Sequence, residues 1–277
     1  MNLEDQVIVV TGAAQGLGEA IAEGMADTGA AIAICGLNAG SLEKVADRIR
    51  NKVGGDKVLS AECDISDEVV TEKFFDDVIS KFGRIDALVN NAGYGCASVR
   101  PDFMSNPVPI WQLDPAEWRR IVEVNTIGTF LMTRWAAPHM VKQGRGRIIN
   151  VTTTFQTMLA PVFGAYGPSK AGVEAMTSIL AKEMEGTGVT VNVVVPGGPA
   201  DTQQIPDGLI PDRNTLLRPD VMVPAIRWLC SDDASDVNGL RFDAVHWSDD
   251  LPVEEALAKS TEPVAWRQLE KSIVMPD

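Results

Sequence analysis

Residues 7–10, Val-Ile-Val-Val, form an unbroken apolar, β-branched run. Such a run predicts a parallel strand buried on both faces. Similar runs recur at 31–35, 58–63, 85–89, 147–151 and 189–195, and residues 238–247 read as a turn and a last strand. Between them apolar positions fall at helical spacing. Ala20, Ile21, Gly24 and Met25 form one such stripe, and Leu42, Val45, Ala46 and Ile49 another. Further helices are predicted over 69–82, 117–139, 166–185 and 219–231. Strand and helix alternate throughout, which predicts an α/β fold with a doubly wound parallel sheet in a single domain over 1–247. Residues 94–115 carry four prolines and no periodicity, and structureless loops of that length are usually functional or mobile. Residues 248–277 read as a polar extension with a lone Trp266, packed on the domain or on a neighbouring subunit.

Charge and cysteine usage narrow the function. The formal net charge is −14, so no basic surface is implied and nucleic acid or an anionic membrane is not an expected partner. Four scattered cysteines and two histidines show no metal-ligand spacing, so no metal site is expected. The polar N-terminus lacks a signal-peptide core, and no apolar run reaches membrane-spanning length. The reading is a soluble protein of a reducing cytoplasm.

The first strand runs straight into Thr11-Gly12-Ala13-Ala14-Gln15-Gly16-Leu17-Gly18. Strand, glycine-rich turn and helix in that order begin a dinucleotide-binding βαβ unit. Gly12 permits a tight turn, Gly16 lets backbone approach a pyrophosphate, and Gly18 lets helix and strand pack closely. Asp64 follows the third strand, where it could accept from an adenine amino group or cap the next helix; Asp67 or Ser66 is the better cap. Asn90-Asn91-Ala92-Gly93 closes the fourth strand. Its amides can tie neighbouring strands, and Gly93 leaves room for a cofactor. Tyr166 precedes Lys170 by four residues, which puts both on one helix face. A free phenol titrates near pH 10, and a neighbouring ammonium is expected to lower that value towards the working range. The pair could then move a proton at an alcohol or ketone oxygen.

In this order and spacing the motifs resemble those of the short-chain dehydrogenase/reductase family over roughly residues 3–247. Asn125 and Pro196-Gly197 complete the set. The resemblance implies a Rossmann-type fold, a nicotinamide cofactor and hydride transfer at a carbon bearing a hydroxyl or carbonyl. It gives Tyr166 the proton transfer, and gives Lys170 the tuning of Tyr166 and a hold on the nicotinamide ribose. Asn125 is assigned a water linking Lys170 to solvent; by residue type alone it reads as a structural helix-interior amide. The family's serine, thirteen residues before the tyrosine, is replaced here by Thr153. A threonine hydroxyl can make the same bond to the substrate oxygen. Thr152 and Thr154 lie one register to either side.

The cofactor is expected along Gly12, Gln15, Gly16, Leu17 and Gly18, then Gly36 and Leu37 after the second strand. Asp64, Ile65, Asn91 and Gly93 follow, with Tyr166, Lys170, Pro196, Gly197 and Pro199 at the nicotinamide end. Gly36 removes the acid that would hold the adenosine ribose, but neither Leu37 nor Gln15 supplies a cation for a 2′-phosphate. An unpaired phosphate dianion is costlier than a ribose hydroxyl left to water. NAD(H) is therefore expected, with measurable NADP(H) use. The substrate touches Thr153 and Tyr166. Tyr94, Cys96, Phe155, Gln156, Met158 and Pro199, with Phe103, Met104 and Trp111 from the long loop, are candidate pocket residues; most are apolar, which favours a hydrophobic or ring-bearing small molecule. Cys96 reads as a bystander, and Phe103 and Trp111 could equally serve only to pin the loop. The family resemblance implies a homo-oligomer, most simply a tetramer. Two other functional classes fit the fold: a non-catalytic nucleotide-sensing or scaffold protein, against which the intact Tyr/Lys pair argues, and an epimerase or dehydratase of nucleotide-linked substrates, disfavoured by the short C-terminal region.

Overall fold

The structure is a computed structural model that describes residues 1–206 and 208–266. The chain alternates as the apolar runs predict: β1 (Val7–Thr11), α1 (Gly16–Ala26), β2 (Ala31–Gly36), α2 (Ala39–Val53), β3 (Val58–Glu62), α3 (Glu68–Phe82) and β4 (Ala87–Asn90). A short turn of helix, α4 (Cys96–Val99), opens the proline-rich loop. Then come α5 (Pro115–Val122), α6 (Thr129–Gln143), β5 (Gly146–Val151), α7 (Phe155–Met158), α8 (Tyr166–Glu183) and β6 (Val189–Val195). The described chain closes with α9 (Val223–Leu229), β7 (Leu240–Asp243), α10 (Val253–Ser260) and β8 (Thr261–Pro263). The eight strands of the described residues form one sheet in the order β3-β2-β1-β4-β5-β6-β7-β8. Every pairing is parallel except β7 with β8.

Both faces of the sheet are covered, which is why β1, β2, β4, β5 and β6 are buried at every position and mostly apolar. Ile8 and Val10 of β1 pack with Ile21, Met25, Leu42 and Ile226 on one side. Val7 and Val9 point the other way, to Phe74, Val78, Met132 and Ala181. Helix α3 is capped by Asp67, whose side chain accepts from the Val69 and Val70 amides, one of the two residues expected to cap it.

Three elements differ from the sequence reading. The helix expected over 117–139 is interrupted by a wider, π-type turn over Glu123–Gly128, which carries Asn125. Such turns recur at functional sites. Gly128 lets this turn lie close on Ile65; a Cβ there would stand 2.7 Å from Ile65 Cδ1. The helix expected over 219–231 begins as a 3-10 turn, Pro219–Met222, before α9. The extension past residue 247 holds α10 and an eighth strand that the polar sequence did not announce. Its Val264 is fully buried against Val193 and Val195. The part of the extension beyond Trp266 lies outside the described residues.

Candidate active site

A cavity of about 680 Å³ opens at the carboxyl ends of the strands, beside the point between β1 and β4 where the strand order reverses. Its cradle is the glycine turn. Gly12 has φ 65° and Gly16 φ 62°, the left-handed region that favours glycine. A Cβ on Gly12 would lie 2.7 Å from Ala92 Cα, so β1 and the Asn90–Gly93 corner meet backbone to backbone. Thr11 Oγ1 accepts from the Asn91 and Ala92 amides at 3.0 and 2.9 Å, and Asn91 Nδ2 donates to the Thr11 carbonyl at 3.0 Å. Gly18 does not line the cavity. It lies beneath the turn, where a Cβ would stand 2.3 Å from the Gly12 carbonyl oxygen; its part is helix–strand packing.

Helix α1 starts at this cradle. Its N-cap Gln15 is extended, with no side-chain cap. Gly16 and Leu17 border the cavity, so uncapped N–H groups and the positive end of the helix dipole meet the space where an anion can sit. A glycine-walled cradle with an uncapped helix start fits the pyrophosphate of a dinucleotide.

Gly36, Leu37, Asp64 and Ile65 border the far end. Both Asp64 oxygens are engaged, Oδ1 by the Ser66 amide and hydroxyl and Oδ2 by Arg120 at 2.8 Å. Burial raises the carboxyl pKa, but these hydrogen bonds outweigh it and hold the group below the usual range. Arg120 also lies over the Tyr94 ring, 5.0 Å from its centroid. Lys170 is the one basic side chain among the described residues lining the cavity.

At the other end, α8 carries Tyr166 and Lys170 to the cavity wall. Lys170 Nζ donates to the Val151 carbonyl at 2.9 Å. Burial pulls its ammonium down to about 8, against the opposing charge of Glu174. The expected lowering of the Tyr166 phenol does not appear. Burial pushes it up to about 12, over the hydrogen bond from Thr153 that favours phenolate. The physical reason is that a phenolate loses its hydration in the pocket, while the ammonium is turned to a backbone carbonyl. At neutral pH Tyr166 therefore carries its proton.

The three threonines after β5 divide cleanly. All three border the cavity, but Thr152 Oγ1 is committed to Glu174, to which it donates at 2.6 Å. Thr154 caps α7, accepting from the Thr157 amide. Of the three, only Thr153 acts on the Tyr166 phenol, where it favours the ionised form. Asn125 is fully buried. Its Oδ1 accepts from the Tyr94 amide at 2.7 Å, and Nδ2 donates to the Tyr94 carbonyl and to Ser169 Oγ. Its side chain thus clamps the loop to α8, as a structural amide does.

Tyr94, Cys96, Phe103, Met104, Gln156 and Pro199 line the cavity, as do Pro196 and Gly197. Burial pushes the Cys96 thiol up to about 11, so it stays protonated and a poor nucleophile. Three expected pocket residues lie elsewhere. Phe155 faces Arg241, whose guanidinium carbon is 4.3 Å from the ring centroid. Met158 is buried under α8, its carbonyl against Gly167. Trp111 is 79% exposed, so it does not pin the loop, whereas Phe103 is buried edge-on to Phe163. The sequence reading missed the wall formed by Thr202, Gln204, Ile205, Leu209 and Ile210. Gln204 Nε2 reaches the Gly93 carbonyl at 3.2 Å, and Arg213 holds Asp201 and the Thr202 and Ile205 carbonyls. The signal available was the long aperiodic stretch after β6.

Comparison with known proteins agrees with this geometry. Residues 6–205 match the family model for short chain dehydrogenase. A short-chain type dehydrogenase/reductase of Picea abies is 40% identical over 200 residues, covering 70% of this chain and 71% of that one. The solved 3-ketoacyl-(acyl-carrier-protein) reductase of Brucella melitensis, complexed with NADH, superposes with a TM-score of 0.76 at 31% identity, covering 87% and 97% of the two chains. A metagenomic short-chain oxidoreductase in complex with NADP superposes at 0.71 with 29% identity, over 85% and 94%. The chain belongs to the short-chain dehydrogenase/reductase family. It is an oxidoreductase that uses a nicotinamide cofactor and acts between alcohol and ketone. Among the described residues no helix is long and apolar enough to cross a membrane.

Proposed function

We propose that this oxidoreductase interconverts an uncharged, largely apolar secondary alcohol and its ketone, with Tyr166 as proton donor and acceptor, and prefers NAD(H). The observation that carries the reading is the meeting of Thr153, Tyr166 and Lys170 on the wall of the cavity that the glycine turn also borders. When bound, the nicotinamide supplies or accepts the hydride. Tyr166 gives or takes the proton at the substrate oxygen. Thr153 donates to that same oxygen and sets its direction. Lys170, anchored on the Val151 carbonyl, keeps a positive charge beside the site and is placed to hold the nicotinamide ribose. Asn125 shapes the site through Tyr94 and Ser169, and remains the residue to which the family resemblance assigns a relay water. Phe103, Met104, Phe163, Leu209 and Ile210 favour an apolar substrate, with Gln156 and Thr157 as polar contacts. Exposed Ile127, Phe130 and Ile179 support a homo-oligomer, most simply a tetramer in the cytoplasm; light scattering that reads a monomer at working concentration would reject it.

The cofactor preference rests on Gly36 and Leu37. No basic side chain lines the adenosine end among the described residues, and Arg120 behind it is already paired with Asp64. Gly36→Asp should sharpen NAD preference. A Cβ there stands 3.4 Å from Ala14 Cβ, an ordinary contact that leaves the turn intact. Leu37→Arg should move preference towards NADP. The measurement is kcat/KM for both cofactors with one substrate. A wild-type preference for NADP above about tenfold, or about 1.4 kcal/mol, would contradict the reading.

A further inference from the structure

Behind the three threonines lies a buried charge pair that the reaction itself does not use. Glu174, on α8 one turn past Lys170, is fully buried, and Arg241, on β7, is 5% exposed. Arg241 Nε donates to Glu174 Oε1 at 3.2 Å. Desolvating two charges costs several kcal/mol per ion, so such a pair is a poor device for stability alone. Each partner is instead spent on the segment that carries Thr153. Glu174 Oε1 also accepts from Thr152 Oγ1 at 2.6 Å. Arg241 Nη2 donates to the Thr153 carbonyl at 2.8 Å, and the guanidinium covers Phe155. Residues 152, 153 and 155 are thus each held by one of the two charges.

The same pair gathers in the C-terminal extension. Arg241 faces Glu262 across the antiparallel β7–β8 pairing and donates to it at 3.2 Å. Glu174 Oε2 accepts from the Ala265 amide at 3.2 Å, where Ala265 turns at φ 59°. Trp266 then lies on Phe155, with ring centroids 6.1 Å apart. We propose that Arg241 and Glu174 are positioning residues that, together with the 261–266 segment, keep the Thr153 hydroxyl aimed at Tyr166. A free strand-to-helix turn would let that hydroxyl swing; five hydrogen bonds through two buried side chains remove the freedom.

This inference rests on Thr153 being the hydroxyl that orients the substrate oxygen, and a double-mutant cycle separates the two ideas. Arg241→Met is expected to fold, to bind reduced cofactor in a fluorescence titration as wild type does, and to lose kcat with KM little changed. A loss between about tenfold and a hundredfold is expected, the scale of an ångström's misplacement. Thr153→Val is expected to lose about a hundredfold. Because Arg241 acts through Thr153, the double variant should be no slower than Thr153→Val alone, to within about threefold; independent damage would multiply. Should Arg241→Met fail to fold, Arg241→Lys keeps a cation beside Glu174 but cannot serve Glu174, Thr153 and Glu262 together. It is expected to lose at least about fivefold in kcat with the same coupling. A slow Thr153→Val beside a wild-type kcat in the folded Arg241 variant, or losses that multiply, overturns the inference alone. A near-wild-type Thr153→Val overturns the reading of Thr153 and this inference with it.

Discussion

Tyr166→Phe should fold, bind cofactor with unchanged affinity and lose about a thousandfold in kcat, within the range for removing a positioned general acid. With burial holding its phenol at about 12, Tyr166 is protonated throughout the neutral range and can donate to a carbonyl oxygen without a prior step. The Thr153 hydroxyl is a far weaker acid, and the Cys96 thiol is turned to the Val162 carbonyl. Lys170, at about 8, directs its Nζ to the Val151 carbonyl. The ring stays in the variant, so its packing on Phe163 is kept and the melting temperature should move little. Steady-state kinetics and a cofactor titration check this together. Retention of a tenth or more of wild-type turnover would remove Tyr166 from the chemistry.

Thr153→Val carries the second-largest effect, and it tests a departure from the family pattern. Valine keeps the β-branched shape and deletes the hydroxyl that meets Tyr166. The expected loss is about a hundredfold in kcat, the scale of one oriented donor, and Thr153→Ser should stay active. Thr152→Val is the control. Its hydroxyl serves Glu174, so its variant should be slowed much less than Thr153→Val. The reverse order, with Thr152→Val inactive and Thr153→Val near wild type, would shift the site by one residue.

Much of this site was legible because its parts are local. The strand–glycine turn–helix unit needs residues 7–25 only. Tyr166 and Lys170 share a helix face, and the thirteen-residue step back to Thr153 spans one turn and a short helix. What was not legible depends on contacts between distant segments. The direction of the Tyr166 shift followed from burial, which a one-dimensional spacing does not carry; proximity to an ammonium predicted the opposite sign. Phe155 looked like a pocket residue until Arg241, 86 positions on, was seen to claim its face. The wall from Thr202 to Ile210 has no periodicity to read, and the eighth strand is three residues long with two of them exposed. Glu174 sits at helical spacing from Lys170, yet only the fold shows that it also meets Thr152, Arg241 and Ala265.

The central claim is that the Tyr166–Thr153 pair serves hydride transfer on an uncharged alcohol or ketone. The most direct test follows reduced-nicotinamide absorbance for wild type and Thr153→Val side by side, across uncharged cyclic and aliphatic ketones with NADH and the matching alcohols with NAD. The account expects turnover by wild type on at least one pair and about a hundredfold slower turnover by the variant. A wild-type protein that binds NADH but turns over none of the pairs, or a variant that matches its rate, would contradict it.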